Sequence, residues 1–427
     1  MAAEPSEAER YIRVEDPEAR RRLLTALAQS LRAEGRIEEA LKVLLKLERL
    51  EPEDRDLQVS IAQAEVLSGR HDAAVRRLEA LRDAHPDWPR PRVELALAYE
   101  AAGDLGAAKA ILIGELGKNP PPRVRRNLEA RIRSLEDRQP FVGRLSVGVV
   151  PDSNVTGGTH NDSIEYFGLP FQVNDDAKAQ SGVRGEIAIG GTARTGWRRG
   201  ARLELAADLQ HSEPLGDEGV PLSSVRLALA ARLRRPDYGL LAGLAVQPFY
   251  YDSELQRREL SWFGEGGVRL AGTTGLSGNL TLTRGEFEAG ADRDFRQWEL
   301  SLGPRFNFGR TVALHPAAIF GHRNAETDVY SFDRRGGSVT LVVAPGNGYR
   351  VTLAGALIRD RYEEIPIGFG VLQEDLIAAA NLRLVKGDTV VWGFSPVFGL
   401  GYKEVRSTID LYDKRSYSLQ FGFARPY

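Results

Sequence analysis

Residues 202–210 read RLELAADLQ, and their side chains alternate between apolar and polar. The apolar face runs from Leu203 to Leu209, and the polar face carries Arg202, Glu204, Asp208 and Gln210. This strict period of two predicts a β-strand with two unlike faces. The same alternation recurs at 225–234 and at 297–308, so the segment belongs to a larger sheet.

Connections divide residues 141–427 into pieces of strand length. Short turns rich in glycine and proline are predicted at 196–200, 235–239, 272–275, 307–310, 345–348 and 385–388. Longer polar loops are predicted at 152–178, 211–219, 252–256, 288–294, 324–328, 361–370 and 405–413. Thirteen connections make fourteen strands, and short connections alternate with long ones throughout. That asymmetry is typical of an outer-membrane barrel, whose periplasmic turns are short and whose external loops are long.

The predicted fold of residues 141–427 is therefore a 14-stranded antiparallel transmembrane β-barrel. Because the strand count is even and the first connection is long, Phe141 and Tyr427 are expected on the periplasmic side. The last strand, followed by 425–427, resembles the terminal insertion signal of such barrels. The alternative, a soluble pair of stacked sheets, would leave two exposed edges and would not require alternating loop lengths.

In a membrane barrel the polar face lines the lumen and the apolar face meets lipid. The residues that this rule places in the lumen are Arg184, Glu186, Arg202, Glu204, Asp208, Arg226, Arg232, Glu259, Arg269, Glu299 and Arg305. Their signs are mixed, so anion selectivity is not supported. Fourteen strands predict a lumen that is wet but narrow, or partly plugged.

The N-terminal half contains an internal repeat of 34 residues. Five columns keep this spacing in three copies: Ala28, Ala62 and Ala96; Gly35, Gly69 and Gly103; Ala40, Ala74 and Ala108; Leu44, Leu78 and Leu112; Pro52, Pro86 and Pro120. The small residues let paired helices approach, the glycine ends the first helix and the proline precedes the next repeat. This pattern resembles the tetratricopeptide repeat family. It predicts an α-solenoid domain over 17–139, with repeats at 21–54, 55–88 and 89–122 and a capping helix at 123–138.

Such a stack presents a concave groove formed by the first helix of each repeat. The positions expected to face it are Arg22, Thr25, Gln29, Arg32, Asp56, Val59, Gln63, Val66, Arg90, Val93, Leu97 and Glu100. We interpret the groove as a docking surface for an extended segment of another protein. The alternative is a spacer arm with ordinary solvated side chains.

Composition excludes several classes of function. The formal net charge of -2 over 427 residues gives no electrostatic case for nucleic acid. The absence of cysteine excludes disulfides, thiolate catalysis and zinc–thiolate sites. The six histidines show no metal-binding spacing, and neither a phosphate-binding glycine loop nor a nucleophile elbow is present. We therefore predict no catalytic residues, no metal and no cofactor. Residues 1–16 are expected to be a flexible mature terminus left after removal of a signal segment.

A helical-repeat arm followed by a fourteen-stranded barrel resembles the surface lipoprotein assembly modifier (Slam) family. The segment after the first strand, including Pro151, Asp152, Ser153 and Asn154, is similar to that family's short motif at this place. The resemblance implies an outer-membrane protein that moves lipoproteins or secreted proteins to the cell surface, with its arm in the periplasm. The implied partners are an exported protein or lipoprotein, periplasmic chaperones and outer-membrane lipid, and we expect a monomeric barrel.

Two interpretations of the motif remain open. Asp and Asn side chains readily cap a turn at a strand end. Alternatively, the loop folds into the lumen, where it contacts cargo or gates the pore.

Two alternatives to protein export also remain open. They are a polysaccharide export porin and a small-molecule porin with a scaffolding arm.

Overall fold

The computed structural model describes residues 16–118, 120–309, 311–346, 348–386 and 394–424. The predicted N-terminal extension up to residue 15, Gly387 and Asp388 of the last predicted short turn, and the terminal segment 425–427 lie outside the described residues. The chain forms two compact units, one up to Arg138 and one from Gln139 onward.

The first unit is a stack of paired helices. Its described helices are α1 (Pro17–Ala33), α2 (Ile37–Glu48), α3 (Arg55–Leu67), α4 (His71–Ala84), α5 (Pro89–Ala101), α6 (Leu105–Gly117) and α7 (Pro122–Arg138). The alanine and leucine columns of the repeat are buried between these helices. Gly35, Gly69 and Gly103 have φ values of 76°, 79° and 87°, so glycine is needed because each helix pair turns through the left-handed region. Among the described residues, none of these helices is long and apolar enough to cross a membrane.

The second unit is a closed antiparallel barrel. Its strands are β1 (Phe141–Asp152), β4 (Gly182–Arg194), β5 (Ala201–Pro214), β6 (Leu222–Arg234), β7 (Tyr238–Tyr251), β8 (Glu254–Ala271), β9 (Thr274–Phe287), β10 (Phe295–Phe308), β11 (Val312–Ala325), β12 (Phe332–Gly346), β13 (Tyr349–Tyr362), β14 (Glu374–Lys386), β15 (Ser395–Ser407) and β16 (Lys414–Ala424). Each pairs with its neighbour in sequence, and β1 closes against β16. The predicted fold class, a helical-repeat arm followed by a 14-stranded barrel, is confirmed.

The first long loop has structure that the sequence analysis did not anticipate. It contains a separate hairpin of β2 (Ser163–Tyr166) and β3 (Leu169–Gln172), followed by a 3-10 turn at Asp175–Ala177. Further 3-10 turns occupy three later loops, at Ala291–Arg293, Asp328–Tyr330 and Asp410–Tyr412.

One predicted long loop is wrong. The segment 252–256 is a two-residue turn between β7 and β8, because Asp252 and Ser253 both adopt positive φ, 50° and 65°. That pair of conformations closes the tightest class of hairpin, and aspartate tolerates it well. Short and long connections therefore do not alternate without exception. The strand count is unchanged, because the position of the turn was correct and only its length differed.

Large apolar side chains cover the outer surface of the barrel. On β5 and β6 they include Leu203, Leu205, Leu227 and Leu229, each more than half exposed. Apolar residues exposed at every second position on a closed barrel are those of a wall that faces lipid. The barrel is therefore of the outer-membrane kind.

Candidate functional site

Contacts between strands that are two apart identify the inward face. Arg334 on β12 reaches Glu299 on β10 across β11, with 2.9 Å between Nη1 and Oε2. Ser277 on β9 reaches His315 on β11 across β10, with 2.7 Å between the hydroxyl oxygen and Nε2. Side chains two strands apart meet in this way on the concave face of a closed sheet, so these positions point into the lumen.

The structure places every residue predicted to line the lumen on this inward face. These residues are Arg184, Glu186, Arg202, Glu204, Asp208, Arg226, Arg232, Glu259, Arg269, Glu299 and Arg305. Several of them pair with one another. Glu204 is almost fully buried and lies 2.7 Å from Arg202 and 2.8 Å from Arg232. These pairs neutralise part of the mixed charge that the sequence indicated.

Ion pairs also bridge neighbouring parts of the inner wall. Arg144 on β1 pairs with Asp208 on β5, with β4 between them. Arg334 pairs with Asp360 at 2.7 Å in addition to its contact with Glu299. These bridges run along the inner wall, so charges of opposite sign are paired beside the lumen.

Charge is unevenly distributed along the lumen. A cavity of about 970 Å³ lies near the short-turn end, and Arg232, Arg234, Arg269 and Arg305 contribute to its lining together with Glu265. Among the described residues, no carboxylate lies within 4.0 Å of Arg269 or Arg305. The short-turn end of the lumen is therefore more basic than the mixed composition of the whole lining suggests.

The half of the lumen toward the long loops contains arginine–aromatic stacks. The guanidinium of Arg323 lies 4.0 Å from the ring centroid of Phe295 and 4.9 Å from that of Phe332. Its Nε donates to Gln297 at 2.8 Å. Arg257 stacks on Phe249 in the same manner, at 4.2 Å.

Sequence reasoning missed this row although its residues lie outside the predicted loops, because the rule that apolar side chains face lipid sends Phe295 and Phe332 outward. Continuing the period of two to the ends of β11 and β12 would have found Arg323 and Phe332.

Among the described residues, the ladder that closes the barrel has the fewest registered pairs. In the described residues, β1 and β16 have five registered pairs, between Ser146↔Ala424 and Asp152↔Ser418. The other barrel ladders have eleven to fourteen. We call this contact between β1 and β16 the seam.

The residues of the seam explain its weakness. Gly148 lies directly opposite Gly422, so neither strand contributes a side chain at that pair. Ser153 N donates to Tyr417 O, which shows that odd-numbered residues of β1 direct their backbone groups toward β16. Pro151 is one of these residues, and it has no N–H to donate. The seam therefore lacks one hydrogen bond as well as side-chain packing.

The motif after β1 fastens the long-loop end of the seam. The side chain of Asp152 is 6% exposed and accepts from Ser416 Oγ at 2.7 Å and Arg184 Nη2 at 2.8 Å. Asn154 Nδ2 donates to Arg415 O at 3.2 Å, and Ser153 Oγ accepts from the Tyr417 amide at 2.8 Å.

Asp152, Ser153 and Asn154 thus join β1 to β4 and β16, and we call these three residues the clasp. Pro151 precedes them on β1.

In the helical arm, hydrogen bonds connect the predicted groove positions from repeat to repeat. Arg32 donates to Gln63 at 3.4 Å, and Gln63 donates to Glu94 at 2.7 Å. Arg90 pairs with Asp56 at 2.7 Å. Arg22 and Gln29 on α1 are exposed. The polar groove residues therefore stabilise the stack as well as forming its surface.

The apolar groove positions differ from one another. Val59 is fully buried in the helical core, so its predicted place in the groove is wrong; it faces the next helix pair instead. Val93 and Leu97 on α5 are 36% and 37% exposed and form an apolar strip. The carboxylate of Glu100 is held by Arg131 and Arg138 of the capping helix, so it is not free to meet a ligand.

Metal ligands do not cluster: the described ranges contain no group of three or more histidine or carboxylate side chains able to hold an ion.

A scan against protein-family models and a search of curated proteins both found no match. Solved structures resemble each half of the chain separately. PcrH in complex with the chaperone binding region of PopD covers 29% of this chain and 96% of its own, with 18% identity and a TM-score of 0.26. A Pseudomonas aeruginosa FadL homologue covers 67% and 89%, with 10% identity and a TM-score of 0.38. A bacterial polysaccharide outer membrane secretin covers 67% and 98%, with 7% identity and a TM-score of 0.34. These values do not assign an activity.

Proposed function

We propose that this protein is an outer-membrane translocator that exports a lipoprotein or a small secreted protein to the cell surface. In this proposal the helical arm lies in the periplasm and docks the cargo or a periplasmic chaperone that carries it. The barrel provides the passage, acts as a monomer and performs no chemistry. The resemblance to the Slam family in domain order and in the motif at 151–154 agrees with this proposal.

The observation that carries the proposal is the interrupted seam. A barrel that only conducts small solutes has no need of a weak closing ladder, whereas a barrel that releases a polypeptide or a lipid anchor sideways does. Within the described part of the β1–β16 ladder, Val150 and Pro151 have no registered partner between the pairs Val149↔Phe421 and Asp152↔Ser418. Each missing pair removes backbone hydrogen bonds, which are the main attraction between neighbouring strands.

The arm has a surface suited to an extended chain. Val93 and Leu97 expose an apolar strip on α5, and the polar row of Arg32, Gln63 and Glu94 crosses all three repeats. Apolar contacts would provide affinity, and the polar row offers hydrogen-bonding groups to a bound backbone.

The export proposal is tested by comparing which proteins are exposed on the surface of cells that carry this gene and of cells that lack it. We expect at least one lipoprotein or small secreted protein to be digested by external protease only in cells with the intact protein. In its absence the same protein should remain inside the cell in undiminished amount. The double variant Val93→Asp/Leu97→Asp should reproduce the loss, whereas Arg76→Asp, an exposed change on α4 outside the groove, should not. An unchanged set of surface proteins would refute export.

A polysaccharide export porin is the second candidate. A cavity of about 520 Å³ on the inward face of the barrel includes Gln210, Gln256, Gln420 and Phe249 in its lining. The amides of this lining can hydrogen-bond sugar hydroxyls, and Glu186 and Arg257 in the same lining provide charged partners. Loss of surface polysaccharide with unchanged surface proteins would favour this candidate. Stable open-channel conductance in a planar bilayer, with both surfaces unchanged, would favour a small-molecule porin.

A further inference from the structure

Arginines are concentrated at one end of the outer face of the barrel. On strands β8 to β16, the outward positions nearest the long loops include Arg258, Arg284, Arg296, Arg335, Arg359, Arg361, Arg406 and Arg415. At the short-turn end, the outward positions include Leu270, Phe308, Val343, Tyr349, Lys386 and Phe423. One rim of the outer face therefore carries these eight arginines together with the carboxylates Glu286, Asp333, Glu374 and Glu404, and the other is mainly apolar and aromatic.

Two pairs of these arginines face each other directly across a ladder. Arg284 on β9 is registered with Arg296 on β10. Arg335 on β12 is registered with Arg359 on β13. Directly opposed residues on one face have Cβ atoms about 5 Å apart, and like charges at that position are destabilising. An anion between the two guanidinium groups of each pair would remove this repulsion.

The described protein does not supply enough anions. Arg284 pairs with Glu286 at 2.8 Å, and Arg359 pairs with Glu374. Among the described residues, no carboxylate lies within 4.0 Å of Arg296. The same holds for Arg335, and both side chains are exposed. Each facing pair thus contains one arginine that needs an external partner.

The depth of these arginines indicates what that partner is. On β10 the outward apolar residues run from Phe308 to Trp298, and Arg296 is the next outward position. At about 3.4 Å per residue and a tilt of about 45°, this run of ten residues spans roughly 24 Å. That matches the apolar band of about 25 Å expected for an outer-membrane barrel. Arg296 therefore lies at the level of the lipid headgroups.

We propose that the facing pairs Arg284–Arg296 and Arg335–Arg359 bind the phosphate groups of lipid headgroups in the leaflet on the long-loop side. Arginine suits this role because its planar guanidinium forms paired hydrogen bonds with phosphate oxygens. A phosphate between two opposed guanidinium groups removes their repulsion and holds the barrel at a fixed depth. This proposal requires that the barrel span a membrane with its apolar outer face in contact with lipid. It does not require that the protein export cargo.

The test uses the purified full chain in neutral detergent with lipid A, a glucosamine disaccharide that carries two phosphates. Binding is measured by native mass spectrometry or by the rise in unfolding temperature on titration. We expect the double variant Arg296→Gln/Arg335→Gln to bind lipid A roughly tenfold or more weakly, since each arginine near a charged lipid surface contributes about 1 kcal/mol. Arg258→Gln is the matched control, because Arg258 lies on the same rim with Glu288 at 2.9 Å as its partner.

Three comparisons decide the outcome. Dephosphorylated lipid A should bind no better to the wild type than to the double variant, and Arg296→Lys/Arg335→Lys should recover part of the affinity. Inorganic phosphate alone should not compete at millimolar concentration, because it lacks the acyl chains that place a headgroup at this depth. Equal binding of lipid A by the wild type and the double variant, with both proteins folded by gel mobility, would overturn the proposal. So would equal binding of the phosphorylated and dephosphorylated lipid by the wild type.

Discussion

Gly148 on the first barrel strand lies directly opposite Gly422 on the last. A Cβ atom at Gly422 would fall within van der Waals contact of the carbonyl oxygen of Val147, and one at Gly148 would approach Phe421 O to 3.1 Å. The present separation of the two strands requires glycine at Gly422, whereas a Cβ atom at Gly148 would need its neighbour to move by a few tenths of an ångström. Close pairing of β1 and β16 therefore depends above all on Gly422.

The first prediction concerns that closure. Gly422→Val should prevent β1 and β16 from pairing at this point and should reduce the fraction of folded barrel, measured as the heat-sensitive band shift on a semi-native gel. Gly355→Ala on β13 is the control, because its Cβ would meet ordinary contacts at 3.7 Å and 3.8 Å. Equal folded fractions for the two variants would show that the seam tolerates a side chain.

A disulfide across the seam tests the route of passage. Ser146 and Ala424 form an inward pair without mutual backbone hydrogen bonds, where Cα atoms are about 4.5 Å apart and a disulfide fits. Ser146→Cys/Ala424→Cys should block surface delivery of the cargo when oxidised and restore it on reduction. The native chain contains no cysteine, so no competing disulfide forms.

The matched control for the disulfide is Ala228→Cys/Ala245→Cys. These two residues form an equivalent inward pair on the long β6–β7 ladder. Oxidation of this control should leave export unchanged. Undiminished export through an oxidised seam, with cross-linking verified by mass, would place the passage in the lumen.

The clasp is the subject of the third prediction. Asp152→Ala should leave Arg184 with only Glu186, at 4.0 Å, and Ser416 without its acceptor, at a cost of roughly 1–3 kcal/mol for the buried polar groups that remain. The expected result is faster proteolysis within 153–181 and weaker export. Asp162→Ala, on an exposed aspartate of the same loop that pairs with Lys178, should have little effect. Normal insertion, normal proteolysis and undiminished export for Asp152→Ala/Asn154→Ala would exclude a gating role for the motif.

The fourth prediction tests the lipid-facing assignment. Leu229 is 57% exposed on the outer face of β6, so Leu229→Arg should cost roughly 2–4 kcal/mol if the residue lies near the midplane of the bilayer. Leu233→Arg, on the same outer face at the end of the same strand, should cost about 0–1 kcal/mol because it lies near the interface. Denaturant unfolding in lipid vesicles measures both values. Equal costs would mean that the outer face does not cross the membrane as described.

A fifth prediction concerns the helical arm. Arg77 on α4 pairs with Glu65 at 3.0 Å and with Glu48, and Glu65 is buried. Burial lowers the pKa of Arg77. The hydrogen bonds to Glu65 and Glu48 raise it by more than burial lowers it, so the pKa of Arg77 lies above its ordinary value. Arg77→Ala should destabilise the arm by roughly 2–4 kcal/mol, since a buried carboxylate would lose its partner. Arg76→Ala, on an exposed neighbour, should fall within about 0.5 kcal/mol in thermal unfolding followed by helical circular dichroism.

Periodicity was sufficient to predict the two architectures. The 34-residue columns placed Ala40, Ala74 and Ala108 in the helical core, where all three are fully buried. Alternation with a period of two placed Glu204 and Arg232 on the face opposite Leu205 and predicted the fourteen strands. Such patterns can be recognised in a single sequence because the same local spacing of residues recurs in many segments of the chain.

The alternation of loop lengths was less reliable. Asp252 and Ser253 form a tight turn because two residues adopt positive φ, a conformation that polarity alone does not reveal. The hairpin formed by β2 and β3 was missed because its strands of four residues are too short for a periodic signal.

By itself, the sequence determined which segments form helices and strands and which face of each strand is apolar, because those properties depend on neighbours along the chain. Only the tertiary structure decided that Gly148 meets Gly422, that Asp152 binds Ser416, and that Arg296 faces Arg284. The first two contacts join residues more than 250 positions apart, and the third depends on the register between two strands. Barrel closure and strand register are set by the packing of the whole sheet, so no local pattern can reveal them.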